Sequence, residues 1–483
     1  KSHAARLDPN TMYSVMPGHK IIDYFIPAGN SYGDVKDPAG TKYEFLFDGE
    51  DPCDYNFFEA SSIRKVGNKY VFIYSGYSGP DYGIASSNST LRYAYGDTPL
   101  GPWRIGGVLV DNRAPVLSRD GKTISTSGPG HNTHGSIEKI NDQWYVFYHR
   151  APRGFGYSRQ PMVAPIMVKY DEKPVSEGGK VVITGYDPFS DDNILTLKAG
   201  NGDEYTGAEV TSEGFHIYGL DPYKYYSAGY ACYFSDNNLL KDSWDVWDNN
   251  MLVGGLKNGD IVGFKYFGFG GLNTATKGLK PFRGVQDGDS TCINLFVRPV
   301  SQKSFKINVW LDGPWDNEVW RGLKIGELTV PSDSPSEILK LKLDVSEHLK
   351  GLKGKHAIYC VAEGEDNGSL CDLVGLGFSN NQNEIEYPSV PAVEIKVDGV
   401  ALDLPNQPER ADNNNGYTGY GKYRIEYELV DENKIPVVTA LSDSDLVKKH
   451  IKQAKTTSDE AVVTFDYMGI KKEYIIRFVQ DKK

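Results

Sequence analysis

The chain contains one β-hairpin phrase twice, 74 residues apart (136 minus 62). The first copy runs from Ser62 to Ser75 and the second from Ser136 to His149, and the two align position for position. In the first copy, Ser62 to Val66 predicts one strand, Gly67-Asn68 the turn and Lys69 to Tyr74 the returning strand. Two copies of one hairpin at a long period indicate a radial repeat, in which each unit is a propeller blade of about four strands.

Composition supports a chain made mainly of strands. Its 483 residues suggest two to four domains, since a domain usually has roughly 100–200 residues. The 52 glycines and 32 tyrosines favour strands and tight turns, and only a few windows such as 442–455 predict a helix. A formal charge of −12 argues against nucleic acid or an anionic membrane as partner and favours a neutral ligand.

Other classes are disfavoured by simple patterns. The chain has no run of about 18 apolar residues, so no membrane span is predicted. Its five cysteines lack CxxC spacing, which argues against a zinc site and against a dense disulfide frame. Lys1 to Leu7 does not read as a signal segment, and we expect it to follow an earlier part of the protein.

The pattern predicts an all-β fold in three parts. Residues 1–197 form the repeat region, which at its 74-residue period has room for only two to three blades, so earlier blades are expected upstream of Lys1 or on a separate piece. Residues 198–382 contain long alternating strands that predict a jelly-roll sandwich. Residues 383–483 have the size and pattern of a small immunoglobulin-like sandwich.

Two polar residues occupy related places in the repeat. Glu59 stands four residues before Ile63, and His134 three residues before the equivalent Ile137. Matched positions in a propeller face the same axial space, so we expect the two side chains to lie near one another. Between Phe58 and Ala60, Glu59 is expected to be partly desolvated, which would raise its pKa and suit a general acid. The alternative for Glu59 is a surface carboxylate beside a strand.

Four motifs in order resemble glycoside hydrolase family 43 over residues 1 to about 190. They are Phe57 to Lys65, Leu100 to Trp103, Gly130 to Ile137 with Trp144 to His149, and Ser158-Arg159. The resemblance implies a five-bladed propeller that hydrolyses arabinosyl, xylosyl or galactosyl linkages with inversion. It uses an Asp base, an Asp that tunes the pKa and a Glu acid.

The resemblance implies roles for three residues. Glu59 matches the acid, His134 the axial histidine that helps hold a structural calcium ion, and Arg159 an arginine facing the site. For His134 the alternative is a histidine satisfied by hydrogen bonds within the blade, and for Arg159 a surface ion pair. Both aspartates would lie upstream of residue 1, so this chain alone is expected to be catalytically incomplete.

The middle region resembles a family 6-like carbohydrate-binding module. The resemblance is carried by Gly263 to Phe269, Val361 to Gly364 and Cys371 to Phe378. Within it, Trp315 lies in a Gly-Pro turn and is the candidate for stacking on a sugar ring, although a purely structural role remains the alternative. Phe58, Arg159 and Trp315 are thus the predicted substrate contacts.

These observations predict an inverting, exo-acting glycoside hydrolase that releases terminal arabinofuranosyl residues, or else xylosyl or galactosyl residues, from plant polysaccharides. Its localisation is expected to be secreted, periplasmic or at the cell surface. The alternative is a carbohydrate-binding protein on a degenerate propeller that does not cleave its ligand. The predicted partners are a cell-wall polysaccharide or oligosaccharide and the missing N-terminal propeller segment, without an organic cofactor.

Overall fold

The computed structural model describes residues 2–125, 132–150, 159–187, 190–198, 202, 204–235, 239–241, 245–248, 250–270, 290–409 and 420–480. The quoted motif residues Gly130, His131 and Ser158 lie outside this part of the chain. By its contacts the chain divides into two compact units, one of residues 1–239 and 253–385 and the other of residues 240–252 and 386–483. The division into three domains stays a prediction.

The first hairpin copy belongs to a four-stranded antiparallel sheet, called here the Glu59 sheet. Its strands, in spatial order, are Phe57–Val66, Lys69–Ser78, Ser87–Gly96 and Arg104–Asp111. Val66 pairs with Lys69 across the two-residue turn, as predicted, and Gly67 has the positive φ of 58° that such a tight turn requires. One face packs on a cluster of aromatic side chains around Phe72, Tyr74 and Trp103.

The second hairpin copy belongs to a five-stranded antiparallel sheet, called here the His149 sheet. Its strands are Gly135–Ile140, Gln143–Arg150, Gln160–Tyr170, Val181–Tyr186 and Ile194–Leu195. Asn141 and Asp142 have φ values of 48° and 69°. A two-residue hairpin turn of type I′ requires a positive φ at both of its central residues. Three two-stranded ribbons accompany the two sheets: His3–Ala4 with Ile22–Asp23, Pro115–Leu117 with Thr123–Ser125, and Leu197–Lys198 with Glu204–Tyr205.

Two further antiparallel sheets share one apolar core and are called here the sandwich. One sheet contains Tyr233–Phe234, Ile261–Gly268, Lys355–Gly364, Phe305–Leu311 and Leu323–Val330. The other contains Leu239–Lys241, Met251–Leu256, Cys371–Ser379, Cys292–Pro299 and Leu339–Asp344, with Tyr226–Ser227 beside Cys371–Ser379. The predicted strands of this region are therefore confirmed.

The second unit has its own core. Its sheets contain Val400–Ala401, Val393–Val397 and Val438–Ser442 in one, and Tyr420–Glu428, Ile470–Val479, Glu460–Tyr467 and Val447–Lys452 in the other. Val246 and Trp247, from the inserted segment 240–252, are buried among its strand residues. The sequence pattern predicts residues 240–252 to be part of the middle region 198–382, whereas in the structure they pack with the C-terminal residues.

The nearly all-β fold is confirmed. Among the described residues the one α-helix is Ser346–Leu349, and short 3-10 turns occur at Pro52–Asp54, Pro80–Tyr82, Val175–Glu177 and Ala228–Tyr230. The helix predicted over 442–455 is wrong, because Val447–Lys452 pairs along its length with Glu460–Tyr467 and this tertiary pairing overrides local propensity. All five cysteines are free.

None of the helices in the described part of the chain is both long and apolar enough to cross a membrane.

Candidate active site

Glu59 lies on a strand that is irregular on both sides of it. Glu59 pairs with Ser75 on the neighbouring strand Lys69–Ser78. The register between the two strands shifts between Phe57 and Glu59 and again between Glu59 and Ser61. Ala60 has a φ of 48°, which is unusual for a residue with a side chain. Bulges of this kind re-aim side chains and are frequent next to active sites. The local backbone therefore sets the direction of the Glu59 carboxylate.

The two hairpin copies meet at equivalent residues. Ser62 Oγ donates a hydrogen bond to Ser136 Oγ at 3.0 Å, across the 74-residue offset of the repeat. Glu59 Oε1 lies 2.9 Å from His134 Nε2, so the predicted proximity of these two residues is confirmed. The equivalent edges of the two sheets thus bring the carboxylate and the imidazole together.

An amide and a guanidinium extend this pair. Asn132 Nδ2 donates a hydrogen bond to Glu59 Oε1, and Arg159 Nη2 donates one to Asn132 Oδ1 at 3.2 Å. Glu59 therefore accepts hydrogen bonds from two side chains, one of which is itself held by Arg159. Asn132 lies within the motif Gly130 to Ile137, but the sequence gives no sign of its role, because an amide side chain does not titrate.

The pKa of Glu59 is lowered, so the expectation of a raised pKa is wrong for this chain. The hydrogen bond from His134 is the largest cause; burial opposes it, while Asn132 and Arg159 lower the pKa further. The expected desolvation is small because the Glu59 side chain is 42% exposed and Phe58 is itself 37% exposed. The Phe58 ring packs against the edge of Tyr77, with ring centres 5.9 Å apart.

His149 holds the segment that carries His134. Its Nε2 accepts a hydrogen bond from the backbone N–H of His134 at 3.1 Å, and its carbonyl oxygen accepts one from Thr133 Oγ1 at 2.7 Å. Burial lowers the pKa of His149 to about 4, and the positive charges of Arg159 and His134 act in the same direction. A neutral imidazole is the form that can accept at Nε2, so this hydrogen bond and the lowered pKa agree.

A shallow, widely open cleft of about 460 Å³ lies beside this group of side chains. Polar groups in its wall come from His134, His149 and Arg159, and aromatic faces come from Phe147 and Phe215. A cleft with apolar walls and a few convergent polar groups is the usual form of a small-ligand site. Its volume is in the range that such sites occupy, roughly 300–1,000 Å³.

Trp315 lies in a loop that contacts another part of the unit. Its ring meets the edge of Trp320 at 6.1 Å between centres, and Trp320 meets Tyr359 at 5.7 Å. In the same loop, Asn317 Nδ2 donates a hydrogen bond to the carbonyl oxygen of Arg119 at 3.3 Å. These contacts favour the structural alternative for Trp315, and its role as a substrate contact stays a prediction.

The residues around His134 do not by themselves make a calcium site. Calcium prefers six to eight oxygen ligands, whereas His134 Nε2 is engaged with Glu59. Among the residues that the structure describes, no group of three or more His, Cys, Asp or Glu side chains is placed to hold a metal ion. A structural calcium ion therefore remains a prediction.

Comparison with curated proteins agrees with the class of protein that the motifs indicated, because the chain is similar to a glycosidase. A curated xylosidase/arabinosidase from Thermoclostridium stercorarium is 25% identical over 336 residues, which are 65% of this chain and 55% of that protein. The chain thus spans about half the length of this curated relative. No family model matches the chain.

Two solved structures are also similar to the chain. One is a family 43 arabinoxylan arabinofuranohydrolase from Bacillus subtilis in complex with cellotetraose, at 20% identity and a TM-score of 0.30, covering 68% of this chain and 55% of that one. The other is a β-1,3-glucan-binding CBM6 from Bacillus halodurans, at 16% identity and a TM-score of 0.22, covering 32% of this chain and 96% of that one. The similarity of the chain to glycosidases therefore depends on the curated relative and on the motifs.

Proposed function

We propose that this chain is part of an inverting, exo-acting glycoside hydrolase that releases arabinofuranosyl residues, or else xylosyl or galactosyl residues, from plant polysaccharides. The observation that carries the proposal is the meeting of Glu59 with His134, Asn132 and Arg159 beside an open cleft. The name of the curated relative supports an arabinosyl or xylosyl substrate. In this proposal the two N-terminal sheets are blades of a five-bladed propeller, followed by a jelly-roll module and an immunoglobulin-like module, in a protein that acts outside the cytoplasm.

The proposed role of Glu59 is to protonate the glycosidic oxygen that leaves. His134 and Asn132 fix the carboxyl group by hydrogen bonds to Oε1, which leaves Oε2 as the oxygen to carry the proton. Arg159 holds Asn132 and supplies a donor at the same wall of the cleft, suited to a sugar hydroxyl. Each of these contacts orients the acid before the substrate binds.

Inversion requires a second carboxylate to activate water, about 6.5–9.5 Å from the acid. The pKa of Glu59 is lowered by its contacts with His134, Asn132 and Arg159. In this proposal, as the resemblance to family 43 implies, the base and the pKa-tuning aspartate belong to propeller sequence upstream of residue 1. Two added carboxylates near Glu59 would raise its pKa, which would move it from its lowered value toward that of a general acid.

Replacing Glu59 by Gln tests the acid role in the full-length protein. Glu59→Gln should lower kcat/KM on arabinan or arabinoxylan oligosaccharides by about 10²–10⁴-fold, because a general acid typically contributes that much. An aryl glycoside with a good leaving group should lose much less, since its oxygen needs little protonation. Unchanged turnover of the oligosaccharides would remove Glu59 from the mechanism.

The matched control for this experiment is Glu138→Gln. Glu138 lies on the second hairpin copy and its carboxylate, 61% exposed, lies 3.8 Å from Arg64. The substitution removes the same charge from an equivalent hairpin, and it should leave both substrates unaffected.

The second candidate function is carbohydrate binding without cleavage. The lowered pKa of Glu59 favours it, since a carboxylate that stays ionised accepts hydrogen bonds from sugar hydroxyls but does not donate a proton. Incubating the full-length protein with arabinan, arabinoxylan and β-1,3-galactan separates the two functions. Released monosaccharide supports the hydrolase, whereas binding without release supports the second candidate.

A further inference from the structure

An exposed phenylalanine completes the cleft wall from outside the two N-terminal sheets. Phe215 lies in the segment 211–220, which joins those sheets to the sandwich strands, and its side chain is 58% exposed. Its ring centre is 6.0 Å from that of Phe147, and the two rings are inclined at 69°. The Phe215 ring therefore lines the cleft with an aromatic surface that is accessible to a ligand.

The backbone on both sides of Phe215 is fixed. Gly214, with a φ of 61°, accepts a hydrogen bond at its carbonyl oxygen from the backbone N–H of Val163, on the His149 sheet, at 2.9 Å. His216 donates its backbone N–H to the carbonyl oxygen of Glu213 at 3.0 Å. The segment is thus bonded to the edge of the cleft immediately before Phe215.

A buried ion pair ties the same segment to the sandwich. The Glu213 side chain is 1% exposed, and its Oε1 lies 2.9 Å from Lys355 Nζ on a sandwich strand. One residue earlier, the Ser212 hydroxyl accepts a hydrogen bond from the backbone N–H of Lys265 at 3.2 Å. The position of Phe215 therefore depends on the sandwich as well as on the sheets that form the rest of the cleft.

We propose that Phe215 is a sugar-stacking residue of this cleft, so that the segment 211–220 provides a substrate subsite. The inference rests on the proposed function and deepens it, because it identifies where a second ring of the oligosaccharide binds. The apolar face of a pentose ring packs on Phe215, while Arg159, His134 and His149 lie in the same cleft wall and offer polar partners to its hydroxyls. Phe147 meets the Phe215 ring in an edge-to-face contact.

Binding measurements test this role without requiring turnover. Calorimetric titration with arabinotriose and with xylotriose is performed on the Glu59→Gln protein, alone and combined with Phe215→Ala or Phe215→Trp. Phe215→Ala should weaken the Kd for the preferred trisaccharide by about tenfold, and Phe215→Trp should keep it within about threefold. The Kd for the single sugar arabinose or xylose should change much less, because one ring does not need the second subsite.

Tyr170→Ala is the matched control. Tyr170 is an aromatic residue, 40% exposed, at the opposite end of the strand Gln160–Tyr170 from the cleft residue Pro161. Its replacement should leave the trisaccharide Kd unchanged. Equal trisaccharide binding by the Phe215→Ala protein and its parent would overturn the Phe215 inference while the proposed hydrolase stands. A parent that binds neither trisaccharide would overturn the Phe215 inference together with the arabinosyl and xylosyl substrates of the proposed function.

Discussion

At the scale of single residues, His149 makes the stability of the site depend on pH. Its folded pKa, about 4, lies below its ordinary value of 6.5 because of burial and nearby positive charge. The folded state therefore binds fewer protons than the unfolded state between these two values. The stabilising contribution of neutral His149 is complete above pH 6.5 and is lost as the pH falls toward 4.

His149→Gln should remove much of this dependence. The wild-type unfolding free energy of the first unit should fall by about 1–2 kcal/mol between pH 6.5 and pH 4 from this group, after allowance for partial exposure. Gln offers an acceptor to the His134 N–H but does not titrate. Thermal unfolding of both proteins across this range measures the difference, and identical pH profiles would contradict the assignment.

Glu59 adds to the same trend at lower pH. Since its pKa is lowered in the folded chain, its contribution is present above its unfolded value and is lost as the pH falls through the folded value. The expectation of a raised pKa failed because the sequence shows neighbours in the chain, Phe58 and Ala60, but not the donors that reach Glu59 from 73 and 75 residues away. Polar partners from distant segments determined the direction of the shift.

At the scale of elements, the tip of the first hairpin docks on the end of the strand Gln160–Tyr170. Asn68 Nδ2 donates a hydrogen bond to the carbonyl oxygen of Glu172, and buried Lys69 donates one to that of Lys173, both at 2.6 Å. The Tyr170 ring covers Gly67. A glycine turn is therefore required here by packing as well as by backbone geometry.

Gly67→Ala should be more destabilising than an ordinary left-handed glycine replacement. A Cβ at Gly67 would lie 2.2 Å from Tyr170 Cε2, whereas a Cβ at Gly40, with a φ of 82°, meets nothing within 4 Å. We expect Gly40→Ala to lower the free energy of unfolding by about 1 kcal/mol and Gly67→Ala to lower it by about 3 kcal/mol, as measured by urea unfolding. In a protein that also contains Tyr170→Ala, the destabilisation by Gly67→Ala should fall to that by Gly40→Ala. An unchanged destabilisation would show that a clash with Tyr170 is not its cause.

The hairpins were predictable because a two-residue turn between alternating strands is a local signal. The bulges around Glu59 were not, since Ala60 gives no sign in the sequence of its positive φ. The segment 442–455 was misread because Val447 and Ile451 have helical spacing, while their strand pairs with Tyr467 and Val463. Phe215 was missed for a similar reason, because its exposure and its contact with Phe147 arise only from tertiary structure.

At the scale of the whole molecule, each compact unit is built from two stretches that are not adjacent in the sequence. Apolar residues of the His149 sheet and of the sandwich, such as Val146 and Tyr359, belong to one continuous core within the first unit. The second unit takes residues 240–252 from the middle of the chain. Alternating patterns reveal strands, but they carry no information on which distant strand shares a core.

The inserted segment should be necessary for the second unit to fold stably. Trp247 is 3% exposed, its Nε1 donates a hydrogen bond to the carbonyl oxygen of Ile470 at 3.0 Å, and Lys472 Nζ lies 3.9 Å from the centre of its ring. Lys472, itself buried, also pairs with Asp245. Removing the segment leaves a cavity and a buried ammonium group without its carboxylate.

A fragment of residues 386–483 should therefore be less stable than the same fragment joined by a flexible linker to residues 240–252. We expect a difference of at least about 3 kcal/mol in the free energy of unfolding, measured with urea, because replacing a buried Trp by Ala alone costs about 3–5 kcal/mol. Trp247→Ala in the joined fragment is the control and should cancel most of the gain. Equal stability of the two fragments would show that the C-terminal residues are sufficient, and that the segment 240–252 only covers a core that is already complete.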